Sequence, residues 1–259
     1  MTRGTVTFVS RNSDAGAVAV VPNGPGRGCA VLAHRGASRA ERENTLAAFS
    51  LAAEMGADAV ELDVRRAADG SLAVHHDPHV ADGRAIVRTS RVELPTEVPS
   101  LDAALDACRG MWVNVEIKND PNEPDFDPSD DIAVDVAAVL HRRHEPQRFL
   151  VSSFRRETID RFRAVASDIA TAWLTPGVAV DDMAATFASL RDAGHSAVHP
   201  WFGLVTERFV TEAHAHGLMV NVWTCDEPSK MSELRVFGVD GICTNVPDVA
   251  IATLADGSA

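Results

Sequence analysis

Eight short apolar runs recur along this chain with helical patterns between them, and this alternation limits the fold more than any other feature. The runs are VLAH (31–34), AVELDV (59–64), WVNVEI (112–117), RFLVSS (148–153), IATAWL (169–174), SAVHP (196–200), LMVNVWT (218–224) and GICT (241–244). Helical stretches follow them at 44–55, 100–109, 130–143, 155–166, 180–193, 206–216, 228–237 and 246–254. Apolar β-type runs separated by helices rather than by tight turns predict parallel strands joined by crossovers. Gly56, Gly110, Gly194, Gly217 and Gly238 end five of the helices, where a left-handed residue closes the last turn. Eight such units predict an α/β fold, a TIM (β/α)8 barrel, which typically takes about 250 residues; the chain has 259. One barrel domain is expected over residues 31–259, with residues 1–30 as an extension to which no chemistry is assigned.

In such a barrel the carboxyl ends of the strands form the functional face, and polar residues collect there. His34 and Arg35 end the first run, and Glu61 and Asp63 stand two apart on the second. Side chains alternate along a strand, so both carboxylates project to one face. Set among Ala59, Val60, Leu62 and Val64, they are costly to bury unless positive charge joins them. Arg65 or Arg66 is one candidate partner, and a hard divalent cation, which prefers oxygen ligands, is the other. Glu116 on the third run adds a third carboxylate and favours the metal. Lys118 shares its face and either pairs with it or meets an anion. Asn44 either caps the first helix, with Thr45 next to it, or serves the site. Trp223 at the carboxyl end of its strand and Phe154 just beyond the end of its own are expected to wall a pocket.

Only seven residues separate Val64 from Leu72, too few for a helical crossover. Asp69-Gly70 is a two-residue hairpin signal, so a β-hairpin extension follows the second strand, with a small insertion at 79–99. With Asp69 and Gly70 at the centre of the turn, Ala68 pairs with Ser71 and His76 faces Asp63. The run NDPNEPDFDPSDD (119–131) reads as a solvated loop, His141 and His144 as surface residues, and His214 and His216, two apart on a helix and unable to share a face, as residues without a role.

The formal charge of −13 argues against a nucleic-acid partner, whose binding surface should be basic. An anionic substrate must then be captured by local positive charge. No apolar stretch approaches the roughly 20 residues that span a bilayer, and the first 20 residues carry no signal-peptide core. Cys29, Cys108, Cys225 and Cys243 are scattered without metal-site spacing, so a reduced, cytoplasmic protein without membrane insertion is expected.

Taken in order, AHRG, ENT, GADAVELDV, DG, HHDP, LPTEVPSLDAAL, NVEIK, VSSF, VNVWT and GVDGICTNVPD resemble the glycerophosphodiester phosphodiesterase family of TIM-barrel enzymes, from Val31 to the C-terminus. The resemblance implies metal-dependent hydrolysis of a glycerophosphodiester to sn-glycerol 3-phosphate and an alcohol, by way of a cyclic phosphate. It further implies His34 and His76 as general acid and base, and Glu61, Asp63 and Glu116 as ligands of Mg²⁺ or Ca²⁺. Arg35 and Lys118 would contact phosphate, and Asn44, Trp223 and Phe154 would contact substrate. The rival readings are a phospholipase D-like or lysophospholipase D-like lipid phosphodiesterase and a non-catalytic phosphoester-binding barrel. Relatives often carry Asp where this chain has Asn245, a change expected to touch only a helix cap. The sequence assigns no oligomeric state.

Overall fold

The alternation of strands and helices closes on itself. A computed structural model describes residues 27–255. Its strands are β1 (Ala30–His34), β2 (Ala59–Arg66), β3 (Leu72–Val74), β4 (Trp112–Ile117), β5 (Phe149–Ser153), β6 (Ala170–Thr175), β7 (Ala197–Pro200), β8 (Met219–Val222) and β9 (Gly241–Thr244). The sheet runs β1-β9-β8-β7-β6-β5-β4-β2-β3, and an added β1–β2 pairing shuts the ring. All eight ring pairings are parallel, and β3 lies outside, antiparallel to β2. The helices are α1 (Leu46–Met55), α2 (Leu101–Ala107), α3 (Asp131–Arg142), α4 (Arg156–Val165), α5 (Met183–Asp192), α6 (Glu207–Ala215), α7 (Pro228–Phe237) and α8 (Pro247–Ala255). This is the TIM barrel that the sequence predicts. Of the expected N-terminal extension, residues 1–26 lie outside the described residues.

The main cores sit between ring and helices. One gathers Val60, Leu62, Val113, Val115 and Phe149 with Phe49, Leu105, Val136 and Phe162, and the other gathers Val198, Val220 and Ile242 with Phe187, Phe209 and Leu234. Strand residues of opposite parity point into the barrel, where small side chains such as Ala59, Ala170, Ala172 and Ala197 leave room for polar ones. The insertion at 79–99 buries Val80, Ile86, Leu94 and Val98 against Ala67 and Ala73, a satellite core rather than a separate domain.

One local expectation is corrected. The hairpin pairs Val64 with Val74, Arg65 with Ala73 and Arg66 with Leu72, one residue out of the predicted register. Ala67 N donates to Ser71 O at 2.8 Å, which makes a three-residue loop ending in Gly70 at φ 78°, among the next most common hairpin connections after the two-residue turn. His75 N therefore donates to Asp63 O, and His75 rather than His76 stands opposite Asp63. Thr45 caps α1, its Oγ1 accepting from Ala48 N, so of the two readings of Asn44 the helix cap falls and the role at the site remains.

The turn after β1 is a tight fit. Gly36 has φ +84°, and a Cβ there would lie 2.6 Å from the carbonyl carbon of Ala48 and 2.7 Å from its Cβ, because the turn bonds to α1 through Ala37 N and Ala48 O at 2.9 Å. Gly36→Ala is expected to destabilise by about 1–3 kcal/mol, the usual overpacking range. Each kcal/mol lowers Tm by roughly 2–4 °C in a chain of this size. A thermal melt with unchanged Tm would contradict this close approach.

Candidate active site

The inward parity of β1, β2 and β4 brings three carboxylates to one end of the barrel. His34 is registered beside Glu61, and Asp63 beside Glu116. Glu61, Asp63 and Glu116 are buried, and each offers an oxygen within 4.8 Å of the others'. Arg35 and Asn44 both take the left-handed conformation, at φ 56°, and both are turned onto this cluster. Arg35 N donates to Glu61 Oε2 at 3.0 Å, and Asn44 Nδ2 donates to Asp63 Oδ2 at 2.8 Å. The Arg35 Nε lies 3.2 Å from Asp63 Oδ2, while Lys118 Nζ donates to Glu116 Oε1 at 3.0 Å and lies 3.6 Å from Asp63 Oδ1.

Arg35 and Lys118 thus lie on the carboxylates themselves, leaving three negative groups against two positive ones. Arg35 is further shared with the exposed Glu43. Glu61 Oε1 and Asp63 Oδ1 remain buried without a hydrogen-bond partner. Burial, with Asp63 and Glu116 close by, pushes the Glu61 carboxyl well above the usual carboxylate range. Burial also raises Glu116, against the pull of Lys118. For Asp63 burial pushes up as well, but Lys118 and Arg35 outweigh it and hold the group low. Buried oxygens without a hydrogen bond, an excess of carboxylates over cations and an all-oxygen donor set are what a hard divalent cation would satisfy.

The cluster opens into a cavity of about 150 Å³. Its polar wall is His34, Arg35, Glu61, Glu116, Lys118 and His76, and its apolar wall includes Phe154, Trp223, Leu174 and Leu32. Phe154 and Trp223 meet edge to face at 5.3 Å. Asn44 lies outside this cavity, on a polar groove of about 550 Å³ that shares His76 with it. The structure thus gathers nine of the ten expected residues on the cavity or its cluster, and places Asn44 one step behind, holding Asp63.

His76 reaches the cavity despite the shifted register because β3 ends at Val74. Its Nδ1 lies 2.7 Å from Asp77 Oδ1. The fully buried Arg65 holds its backbone, with Nε donating to the His76 carbonyl at 2.8 Å. Arg65 is in turn bound by Glu123 at 2.8 Å and Asp125 at 2.7 Å. The 119–131 segment, expected as a solvated loop, is therefore fastened beneath His76 by its own acidic residues. His34 lies with Nδ1 2.7 Å from Asn245 Oδ1 and Nε2 4.0 Å from Glu61 Oε2. Burial lowers the pKa of both imidazoles, assisted at His34 by Arg35 and at His76 by Lys118 and Arg35, while Asp63 and Asp77 pull His76 the other way.

Three hydrogen-bonding side chains of the cavity escaped the sequence reading: Asn114, His199 and Asn221, on β4, β7 and β8. The signal was present, since Asn114 precedes Glu116 by two residues and Asn221 precedes Trp223 by two, the same inward parity. His199 accepts from Asn221 Nδ2 at 3.0 Å, and full burial drives its pKa down to about 3. It is a fixed neutral group in the floor, unsuited to proton transfer near neutrality.

Residues 34–249 match the model of the glycerophosphoryl diester phosphodiesterase family. The chain is 27% identical over 254 residues to a glycerophosphodiester phosphodiesterase of Caldanaerobacter subterraneus subsp. tengcongensis, across 88% of this chain and 98% of that one. It is 25% identical over 248 residues to a glycerophosphodiester phosphodiesterase of Bacillus subtilis, across 84% of each. Among solved structures it resembles an Oleispira antarctica phosphodiesterase in complex with the product sn-glycerol-3-phosphate, with a TM-score of 0.78, 25% identity, and 87% of this chain and 96% of that one covered.

The acidic cluster generates a test that needs no substrate. A cation in excess of its Kd by about 100-fold stabilises by about 2.7 kcal/mol, so Ca²⁺ or Mg²⁺ should raise Tm, and Glu61→Gln should abolish the rise. Because the folded-state pKa of Glu61 is raised, the metal-free protein should lose stability as pH climbs from the ordinary carboxylate range through that raised value. Glu61→Gln should remove that part of the slope. A wild-type Tm indifferent to both cations would overturn the metal reading.

Proposed function

The chain belongs to the glycerophosphoryl diester phosphodiesterase family and is a phosphoric diester hydrolase, and on that premise we propose that it cleaves glycerophosphodiesters to sn-glycerol 3-phosphate and an alcohol, with His34 and His76 as acid-base pair. The observation that carries this reading is one cavity faced by both imidazoles, by Arg35 and Lys118, and by carboxylates with orphaned oxygens. The product held by the Oleispira antarctica phosphodiesterase supports the same chemistry. Glu61, Asp63 and Glu116 would hold Mg²⁺ or Ca²⁺, which supplies charge neutralisation at the phosphoryl oxygens.

Each remaining part falls to the chain's own residues. Arg35 and Lys118, drawn partly off the carboxylates when a cation joins them, bind the phosphoryl group where charge must be held in the transition state. His34 Nε2 takes the proton of the glycerol 2-hydroxyl as it attacks phosphorus, and His76 protonates the departing alkoxide. The two exchange roles when water opens the cyclic phosphate. Phe154 and Trp223 exclude water from one side, and Asn44 keeps Asp63 in place. The substrate is a small molecule, and the charge of −13 speaks against nucleic acid. Cysteines that are all free and buried fit a reducing cytoplasm, and no helix among the described residues is long and apolar enough to cross a membrane. A lipid phosphodiesterase is the second reading, favoured by the exposed Phe154, Trp201 and Leu204 in loops that follow strand ends.

Purified protein assayed on glycerophosphocholine and glycerophosphoethanolamine should turn over both, lose activity on chelation and regain it with Mg²⁺ or Ca²⁺. His34→Ala and His76→Ala should each lower kcat by roughly 10²-fold or more, the range for lost acid-base catalysis. A substrate whose glycerol 2-hydroxyl is replaced by hydrogen should be nearly inert. Preference for lysophosphatidylcholine would select the second reading, and near-normal turnover by a folded His34→Ala or His76→Ala variant would remove that residue from the mechanism.

A further inference from the structure

We propose that Asn245 and Asp226 form a matched amide-carboxylate pair whose task is to fix the tautomer of His34, holding the proton on Nδ1 and leaving Nε2 free toward the cavity. Both are positioning residues, absent from the cavity wall. The sequence suggested only a helix cap at Asn245, whereas the structure ties three βα loops through its amide.

The assignment follows from an unbroken chain of obligatory donors and acceptors. Asp226 Oδ1 accepts from Asn245 N at 2.8 Å and from Thr244 Oγ1 at 3.0 Å, and its Oδ2 lies 2.8 Å from Asn245 Nδ2. An ionised carboxylate only accepts, so the NH₂ of Asn245 must be the end that faces it. The amide orientation, often ambiguous from shape alone, is thereby determined. Asn245 Oδ1 must then face the other way, where it accepts from Ser38 Oγ at 2.9 Å and lies 2.7 Å from His34 Nδ1. An amide oxygen cannot donate, so the short contact with His34 requires the hydrogen on Nδ1. The nitrogen left with a lone pair in the neutral ring is Nε2, on the side of Glu61.

This geometry explains why the side chain at 245 is an amide here. A carboxylate in its place would set two anionic oxygens 2.8 Å apart where Asn245 Nδ2 now meets Asp226, an arrangement that admits a second ionisation only at high cost. Exchanging the two residues preserves every contact. An amide at 226 keeps an oxygen for Asn245's backbone position and Thr244, and donates its NH₂ across to 245, while a carboxylate at 245 still accepts from Ser38 and His34.

The proposal rests on the acid-base role assigned to His34, and its test separates the two. In metal-free protein labelled with ¹⁵N-histidine, the neutral ring of His34 should show a protonated Nδ1 and an unprotonated Nε2, and Asn245→Leu should shift the population toward the Nε2–H form. Asn245→Asp should lower kcat by about ten-fold or more, the scale of misplaced acid-base catalysis, with KM changed by less than about two-fold. Adding Asp226→Asn to Asn245→Asp should restore kcat to within about three-fold of wild type, a coupling that independent sites would not show. A wild-type ring protonated on Nε2 would overturn the proposal whether or not the other variants fold. So would a double variant, folded by its melt, that is no more active than Asn245→Asp. If the wild type hydrolyses no glycerophosphodiester, the functional reading fails while the ring spectrum still decides the tautomer.

Discussion

Three carboxylates enclosed in a barrel end are the constraint around which this molecule is built. Glu61, Asp63 and Glu116 are buried beside one another, and mutual repulsion in a poorly solvated site is tolerated only where positive charge and donors converge. The adjoining backbone is shaped to that end. Arg35 is turned left-handed so that its amide meets Glu61, Asn44 is turned left-handed so that its carboxamide meets Asp63, and Gly36 between them permits the chain to lie against α1. Even so, two oxygens stay without a hydrogen bond, and this remaining deficit is the strongest physical argument for a cation.

The two imidazoles on the cavity are supported by different means. His76 sits on an irregular segment past the end of β3, and its backbone is fixed by Arg65, a buried guanidinium neutralised by Glu123 and Asp125. A buried ion pair of this kind is costly to break by removing one partner, so the acidic loop and the His76 segment are bound to move together. His34 is held through its ring instead, by Asn245. One support sets where a histidine stands, and the other sets which nitrogen it presents. In the acid-base role proposed for them, which depends on both reach and protonation, these are complementary demands.

The barrel interior divides the work along its length. Below the site the ring is filled by small residues with Asn114, His199 and Asn221 among them, and burial keeps His199 neutral. Across from the charged wall, Phe154 and Trp223 form an apolar one. A phosphodiester, with its single negative charge, would meet cations, donors and a water-poor side in this space, an environment in which each electrostatic contact counts for more than in bulk solvent.

By itself the sequence determined the barrel, its eight strands to within a residue or two, and the side of the sheet on which the carboxylates lie. The reason is that strand parity and the alternation of strand and helix are local properties, written in neighbouring residues. The same parity, followed further, would have shown Asn114 and Asn221. Only the tertiary structure decided the hairpin register, because Asp69-Gly70 is compatible with two loop lengths that differ by one residue. It alone showed Arg35 and Lys118 lying on the carboxylates, Arg65 fastened to Glu123 and Asp125 some 60 positions away, and Asn245 meeting His34 across 211 positions of sequence. Such contacts depend on where long side chains from separate loops come to rest, and no local pattern encodes that.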